Sequence, residues 1–356
     1  MSTTLGSDSY RLPAEHEDLR ALIRQIAEER IRPRAAAIDA EGEYPHDVRR
    51  LLAGNDILAL PFDPQYGGTG TGTLMLQVAV EEIARACASS ALILMVQELG
   101  TLPIALFGSD EMKERFLPRC ATGEWSPAFC LSEAEAGSNA AAMRTRAHRD
   151  GDEWVLNGAK NWITNAGIAD FYVVFAVTDR EHARVTAFVV EAETPGFSVG
   201  GYEHKLGIRG SPTGSPVFED VRLPTENVIG EVDRGMRVAL ATLERTRLGA
   251  AAQAVGIAQG ATDYANGYAA GADRLRQAHQ RAPGPAVQAR GHGDGHRRVA
   301  RAALPGVRHG RPPRAPARPG QVDVDGQALR LRQRHAGDGR GGPGARRLRV
   351  RDRLPG

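Results

Sequence analysis

Apolar residues recur at helical spacing through the first third of the chain. Leu19, Leu22, Ile23 and Ile26 share one predicted helix face, and Pro33 falls near that helix's end. From Leu74 to Leu99 apolar positions repeat while Glu81, Glu82 and Arg85 occupy the other side. Ser109-Asp110-Glu111 combines a hydroxyl cap with an acidic first turn, which predicts a helix start before Met112 to Cys120. Tyr66 to Gly72, YGGTGTG, reads as a glycine-rich loop between helices. It has neither a strand before it nor a Lys-Ser/Thr after it, so it is not read as a phosphate cradle.

Near Trp125 the period changes. Short β-rich runs at Glu153 to Leu156, Phe171 to Val177, Val185 to Val190 and Val217 to Val221 are separated by Gly, Asp, Asn and Pro. Helical spacing returns near Arg234, through Met236, Leu240, Leu243 and Leu248, and an alanine-rich run follows to Ala270. The pattern predicts a multidomain α+β chain: a helical domain over 1–124, a β domain over 125–232 and the start of another helical domain over 233–270.

Composition alters this picture at one place. The formal net charge of +2 joins two unlike parts. From Gly271 to Gly356 there are 20 Arg and 6 Asp with no Lys or Glu, a balance of +14 against −12 for the rest. The 356 residues allow two or three domains. No run of apolar letters approaches a membrane span, the best being Ala91 to Val96, and the first residues lack the pattern of a signal peptide. Cys87, Cys120 and Cys130 have neither metal-ligand spacing nor an even count; no metal site is expected, and the thiols suit a cytoplasmic protein.

Two segments carry the candidate chemistry. FCLSEAEAGSNA, Phe129 to Ala140, places an extended run before the small-residue turn Ala136-Gly137-Ser138. Such a turn allows main-chain N–H groups to approach a phosphate or carbonyl. NGAKNWITN, Asn157 to Asn165, reads as a strand that puts Trp162 and Thr164 on one face, an indole to cover a flat ring and a hydroxyl to bond its edge.

In their order and spacing these segments resemble the two flavin-contacting stretches of the acyl-CoA dehydrogenases, and the likeness extends from Leu12 through Ala270. The resemblance implies a helical domain, a central β-barrel-like domain and the beginning of a C-terminal helical bundle, with FAD between the last two. It implies that main chain around Phe129, Leu131 and Ser132 meets the flavin ring. Ser138 would approach the pyrophosphate or the CoA side, Trp162 would lie beside the ring with Ile163 next in the chain, and Thr164 would bond near N5. A donor there stabilises the electron-rich reduced ring. Asn139 departs from the family's usual Asp, keeping shape and losing charge.

LERTRLGAA, Leu243 to Ala251, resembles the family helix that meets acyl-CoA. The resemblance places Glu244 and Arg247 near the CoA portion; read as residues alone, they are an i,i+3 ion pair on a helix surface. The implied reaction turns an acyl-CoA into 2-enoyl-CoA, with electrons passed to electron-transfer flavoprotein, in a homotetramer engaged in fatty acid metabolism. It needs a carboxylate base. The usual YEGT-like motif is absent from the sequence, and at the alternative position used by some relatives stands Thr246. Glu244, one turn away at best, is a weak candidate, so the catalytic base is unassigned and impaired activity is expected. A flavin-dependent oxidase of the same fold is the alternative enzyme reading.

The tail explains the missing motif. Ala272 to Gly356 uses only nine residue types, Ala, Asp, Arg, Leu, Gln, His, Pro, Gly and Val. All nine have codons beginning with C or G, the alphabet a GC-rich gene yields when read one base out of phase. Shifted by one base, Leu275 to Gln280 permits FGKPIS and Pro343 to Val350 permits QVLGGYGY, both similar to acyl-CoA dehydrogenase segments in the right order. The 271–356 tail is therefore expected to be frameshifted and, lacking aromatic residues, Ile and Met, disordered as protein. An Arg/Gly arm binding nucleic acid, on a non-enzymatic flavin-fold protein, is the disfavoured alternative, because no aromatic or Ser is interleaved. Loss of the remaining helices predicts exposed apolar surface at Leu240, Leu243 and Leu248 and weak FAD retention.

Overall fold

A computed structural model describes residues 12–271. The expectations for the tail fall, beyond residue 271, outside the described residues. Helix α1 (Ala14–Ile26) runs through a π turn, Ala27–Ile31, and a 3₁₀ turn, Arg32–Arg34, into α2 (Ala35–Glu41). Its buried face passes through Ile23, Ala27 and Ile31, with Leu19 and Ile26 packed alongside. Leu22 is 51% exposed, so its expected place in the stripe is corrected: one step before Ile23, it rotates out of the contact arc.

After α3 (His46–Ala53), the long apolar stretch forms two helices, α4 (Gly72–Ala86) and α5 (Ala88–Phe107), broken where Cys87 is extended. α6 (Asp110–Ala121) starts as expected, with the Ser109 hydroxyl accepting from the Met112 N–H at 3.2 Å. α5 has 20 residues and is long and apolar enough to cross a membrane by length and composition. This corrects the expectation that no apolar stretch approaches that length. Counting consecutive apolar letters stops at polar ones, whereas α5 buries Gln97, Glu98 and Thr101 within the fold. It packs against α4, α6 and strand β1 (Pro127–Cys130).

The other strands are β2 (Arg146–Asp150), β3 (Glu153–Ala159), β4 (Ile163–Thr164), β5 (Phe171–Asp179), β6 (Arg184–Glu191), β7 (Phe197–Tyr202), β8 (Thr213–Pro224) and β9 (Val228–Ile229). They form one sheet in the order β4-β8-β3-β2-β5-β6-β9, with β7 on β8 and β1 parallel to β5. Both faces of β5 are buried, which explains its unbroken apolar run. Phe171, Val173 and Phe175 join a cluster with Ile104 and Phe116, while Tyr172, Val174 and Ala176 join one with Trp154 and Phe188.

Helix α7 (Gly235–Gly271) is 37 residues long and packs on α4, α5 and β6. Leu240 is 60% exposed, as expected. Leu243 packs partly against the sheet-and-helix cluster and Leu248 is half-buried, which corrects the broader exposed face expected there.

Candidate functional site

The site is built where β1 ends. Phe129 pairs with Val173 in the parallel ladder and packs on Phe175, their ring centroids 5.0 Å apart. Leu131 is buried and Ser132 half-buried. The chain then tightens, with Glu133 and Ala136 exchanging backbone hydrogen bonds of 3.2 and 3.1 Å. Gly137, Ser138 and Asn139 are exposed, and a Cβ placed on Gly137 would meet nothing within 4 Å. Glycine there opens access; it is not forced by the backbone path.

The second segment is drawn onto the first by three links. The Asn161 N–H donates to the Ser132 carbonyl at 3.0 Å. The Asn165 amide donates to the Pro127 carbonyl at 3.1 Å. Between them the fully buried Lys160 ammonium donates to Glu133 Oε1 at 2.8 Å and to the Leu131 carbonyl at 3.2 Å. Glu133 also accepts from the N–H groups of Arg144 at 2.6 Å and Thr145 at 3.0 Å. Burial opposes the Glu133 carboxylate, yet Lys160 and these N–H groups hold its carboxyl below the usual range. Burial draws the Lys160 ammonium below its ordinary value.

The strand expected through Trp162 is corrected. β4 contains only Ile163 and Thr164, paired with Gly214 and Thr213. Trp162 precedes it at φ +59° and Asn165 follows at φ +65°. Alternation therefore does not set the direction of the indole; a left-handed backbone does, and for a bulky residue that conformation is strained. The indole is 52% exposed, Ile163 is buried and Thr164 half-buried. An exposed, left-handed tryptophan on a segment bonded to the one that carries an open small-residue turn leaves room for a flat polyanionic cofactor, so these residues fit FAD.

On α7, Glu244 and Arg247 are exposed and the expected ion pair does not form among the described residues. Instead Arg247 Nε donates to the Leu243 carbonyl at 3.1 Å, a bond within its own helix. No hydrogen bond or ion pair among the described residues joins either side chain to the two loops. The Thr246 hydroxyl donates to the Thr242 carbonyl at 3.1 Å. On α5, which packs on α7, Leu92, Met95, Leu99 and Leu102 are half-exposed, an apolar stripe at helical spacing. A Cβ placed on Gly249 of α7 would stand 3.5 Å from Met95 Cγ, an ordinary van der Waals contact.

Sequence reasoning missed Glu133, Lys160 and Asn165 as the bolts of this site. Lys160 carried one signal, being one of only three lysines and lying inside the second segment. It also missed Glu98, buried on α5, whose carboxyl burial pushes up to about 7 against the opposing effects of the Gln77 amide and the Arg245 charge.

Comparison with known proteins agrees with this architecture. Residues 13–124 match the acyl-CoA dehydrogenase N-terminal domain and residues 128–221 the middle domain. The chain is 46% identical over 263 residues to "Probable acyl-CoA dehydrogenase FadE25" of Mycobacterium tuberculosis, covering 73% of this chain and 68% of that protein. Butyryl-CoA dehydrogenase from Megasphaera elsdenii superposes with a TM-score of 0.80 at 33% identity, over 84% of this chain and 81% of the other. A glutaryl-CoA dehydrogenase from Mycobacterium smegmatis, solved in complex with FADH2, gives 0.77 at 29% identity, over 86% and 79%. Sheet, helices and matched domains together define a flavoprotein oxidoreductase fold. The chain belongs to the acyl-CoA dehydrogenase family.

Proposed function

We propose that this chain binds FAD against the two joined loops and an acyl-CoA thioester between those loops and the α5–α7 face, for α,β-dehydrogenation to 2-enoyl-CoA. The convergence of Leu131–Ser138 with Lys160–Asn165 supports this reading most strongly. FAD, when bound, accepts the β-hydrogen as hydride. Main chain at Phe129, Leu131 and Ser132 and the side chains of Trp162 and Thr164 hold the ring, with Ile163 anchoring their strand in the core. Ser138 meets the pyrophosphate or the CoA side, and the Leu92–Leu102 stripe receives the acyl chain. Arg247, with Glu244, meets the CoA portion once its guanidinium leaves the Leu243 carbonyl.

The reaction also needs a base at the substrate's α-carbon. Thr246 has no carboxylate and its hydroxyl is engaged by Thr242; Glu244 is the weak candidate on that helix. The chain therefore dehydrogenates slowly, because loss of a general base costs roughly 10²- to 10⁴-fold. Electron-transfer flavoprotein as acceptor, a homotetrameric assembly and a cytoplasmic location belong to the same reading, the last supported by three buried free thiols.

The test is anaerobic mixing of the FAD-loaded chain with acyl-CoAs of graded length, following flavin absorbance. A ligand-induced spectral change with slow bleaching is expected, and a chain continued after residue 271 in the alternative phase should bleach faster. Absence of any spectral response to every thioester would defeat the reading. Rapid bleaching that survives Glu244→Gln would defeat the account of the base.

A further inference from the structure

Lys160 is fully buried, and its ammonium touches Glu133 Oε1, the Leu131 carbonyl and, at 3.8 Å, Met143 Sδ. A buried ion pair of this kind is a poor source of net stability, since desolvation offsets most of the attraction. Its contact with main chain is the informative one. The Leu131 carbonyl and the Ser132 N–H belong to one trans peptide and point in opposite directions. With the carbonyl fixed toward Lys160 in the interior, the Ser132 N–H points away from it. Among the described residues none accepts a hydrogen bond from that N–H. The Ser132 carbonyl is likewise held, by the Asn161 N–H.

A cation bonded to an amide oxygen draws electron density through the amide and makes its N–H a stronger donor. We propose that Lys160 is a positioning residue that aims and strengthens the Ser132 N–H as a donor to the flavin ring, favouring the electron-rich reduced cofactor over the oxidised one. Glu133 keeps the ammonium in place and charged. This rests on the FAD reading above and adds to it a residue acting through main chain.

The experiment compares the full native chain with the double variant Lys160→Met/Glu133→Gln, which removes both charges and keeps the pocket filled. FAD is titrated by quenching of its fluorescence, the midpoint potential of the bound flavin is measured, and melting is followed without FAD. The double variant should melt close to the native protein yet lose at least tenfold in its preference for reduced over oxidised FAD, a shift of about 30 mV to more negative potential. If that variant does not fold, Lys160→Gln/Glu133→Gln, a neutral pair that keeps hydrogen bonding, should show the same loss. A native-like potential in the folded variant overturns the inference and leaves the FAD reading intact. Failure of the native chain to bind FAD overturns the FAD reading, and the inference with it.

Discussion

Arg24 grips Glu82 through two parallel hydrogen bonds, Nε to Oε2 at 2.8 Å and Nη2 to Oε1 at 2.7 Å, and so fastens α1 to α4. Arg20 adds a third bond to the same carboxylate at 2.6 Å. Burial disfavours the Glu82 anion, but the two arginines outweigh it and hold its carboxyl below the usual range. A depressed carboxylate contributes stability above its unfolded pKa and loses it as pH falls through the folded value. Glu82→Gln should therefore lower stability by about 1–3 kcal/mol at pH 7. Urea melts should show the gap to native narrowing below the ordinary carboxylate range. A gap that stays constant to low pH would detach the effect from ionisation.

Glu98 has the opposite sign. Its carboxyl rises from 4.5 to about 7, so the folded state holds a proton that the unfolded state has released. Stability from this group is present below pH 4.5 and is lost as pH rises through 7, on the order of 3 kcal/mol in all. The groups facing it are Gln77 on α4 and Arg245 on α7. Glu98→Gln should flatten the fall in melting temperature between pH 5 and 8. An unchanged slope in that variant would assign the fall to other groups.

Gly256 lets α7 lie directly on α4. A Cβ there would stand 2.2 Å from the Glu81 carbonyl oxygen, and at Gly260 one would stand 2.3 Å from that of Arg85. Backbone cannot step aside as a flexible side chain can. Gly256→Ala should cost about 1–3 kcal/mol through overpacking. Gly137→Ala, with open space around its Cβ, should leave melting unchanged. Equal melting temperatures for the two variants would show that α7 shifts freely on α4.

Trp162 carries backbone strain of about 1–3 kcal/mol. Trp162→Gly should relieve it, so the FAD-free protein melts at or above the native temperature while FAD affinity falls at least tenfold. A variant that loses stability and keeps its affinity would make the indole a packing residue only.

Much of this was legible along the chain. The Ser109 cap and the β-rich runs are local signals, and each lies where its turn chemistry or period placed it. What escaped reading depends on distant partners or on backbone outside the regular periods. Lys160 and Glu133 lie 27 positions apart and meet only after β1 and β3 join one sheet. Alternation assumes β geometry on every residue, and the single left-handed Trp162 breaks that assumption. Glu244 and Arg247 have the correct spacing for a pair, but a carbonyl one turn away satisfies the guanidinium.

The parallel pairing of Phe129 with Val173 also orders events in time. Strands paired in this way need a crossover, here supplied by β2, β3 and β4 before β5 exists. During synthesis the Leu131–Ser138 loop emerges early but has nothing to lean on until β5 is complete. At about 5–20 residues per second, the ribosome leaves that loop without its sheet for several seconds. The final shape of that loop is thereby deferred until the middle of the chain has been made, and a nascent chain stalled before Phe171 would display the segment without the surface that supports it.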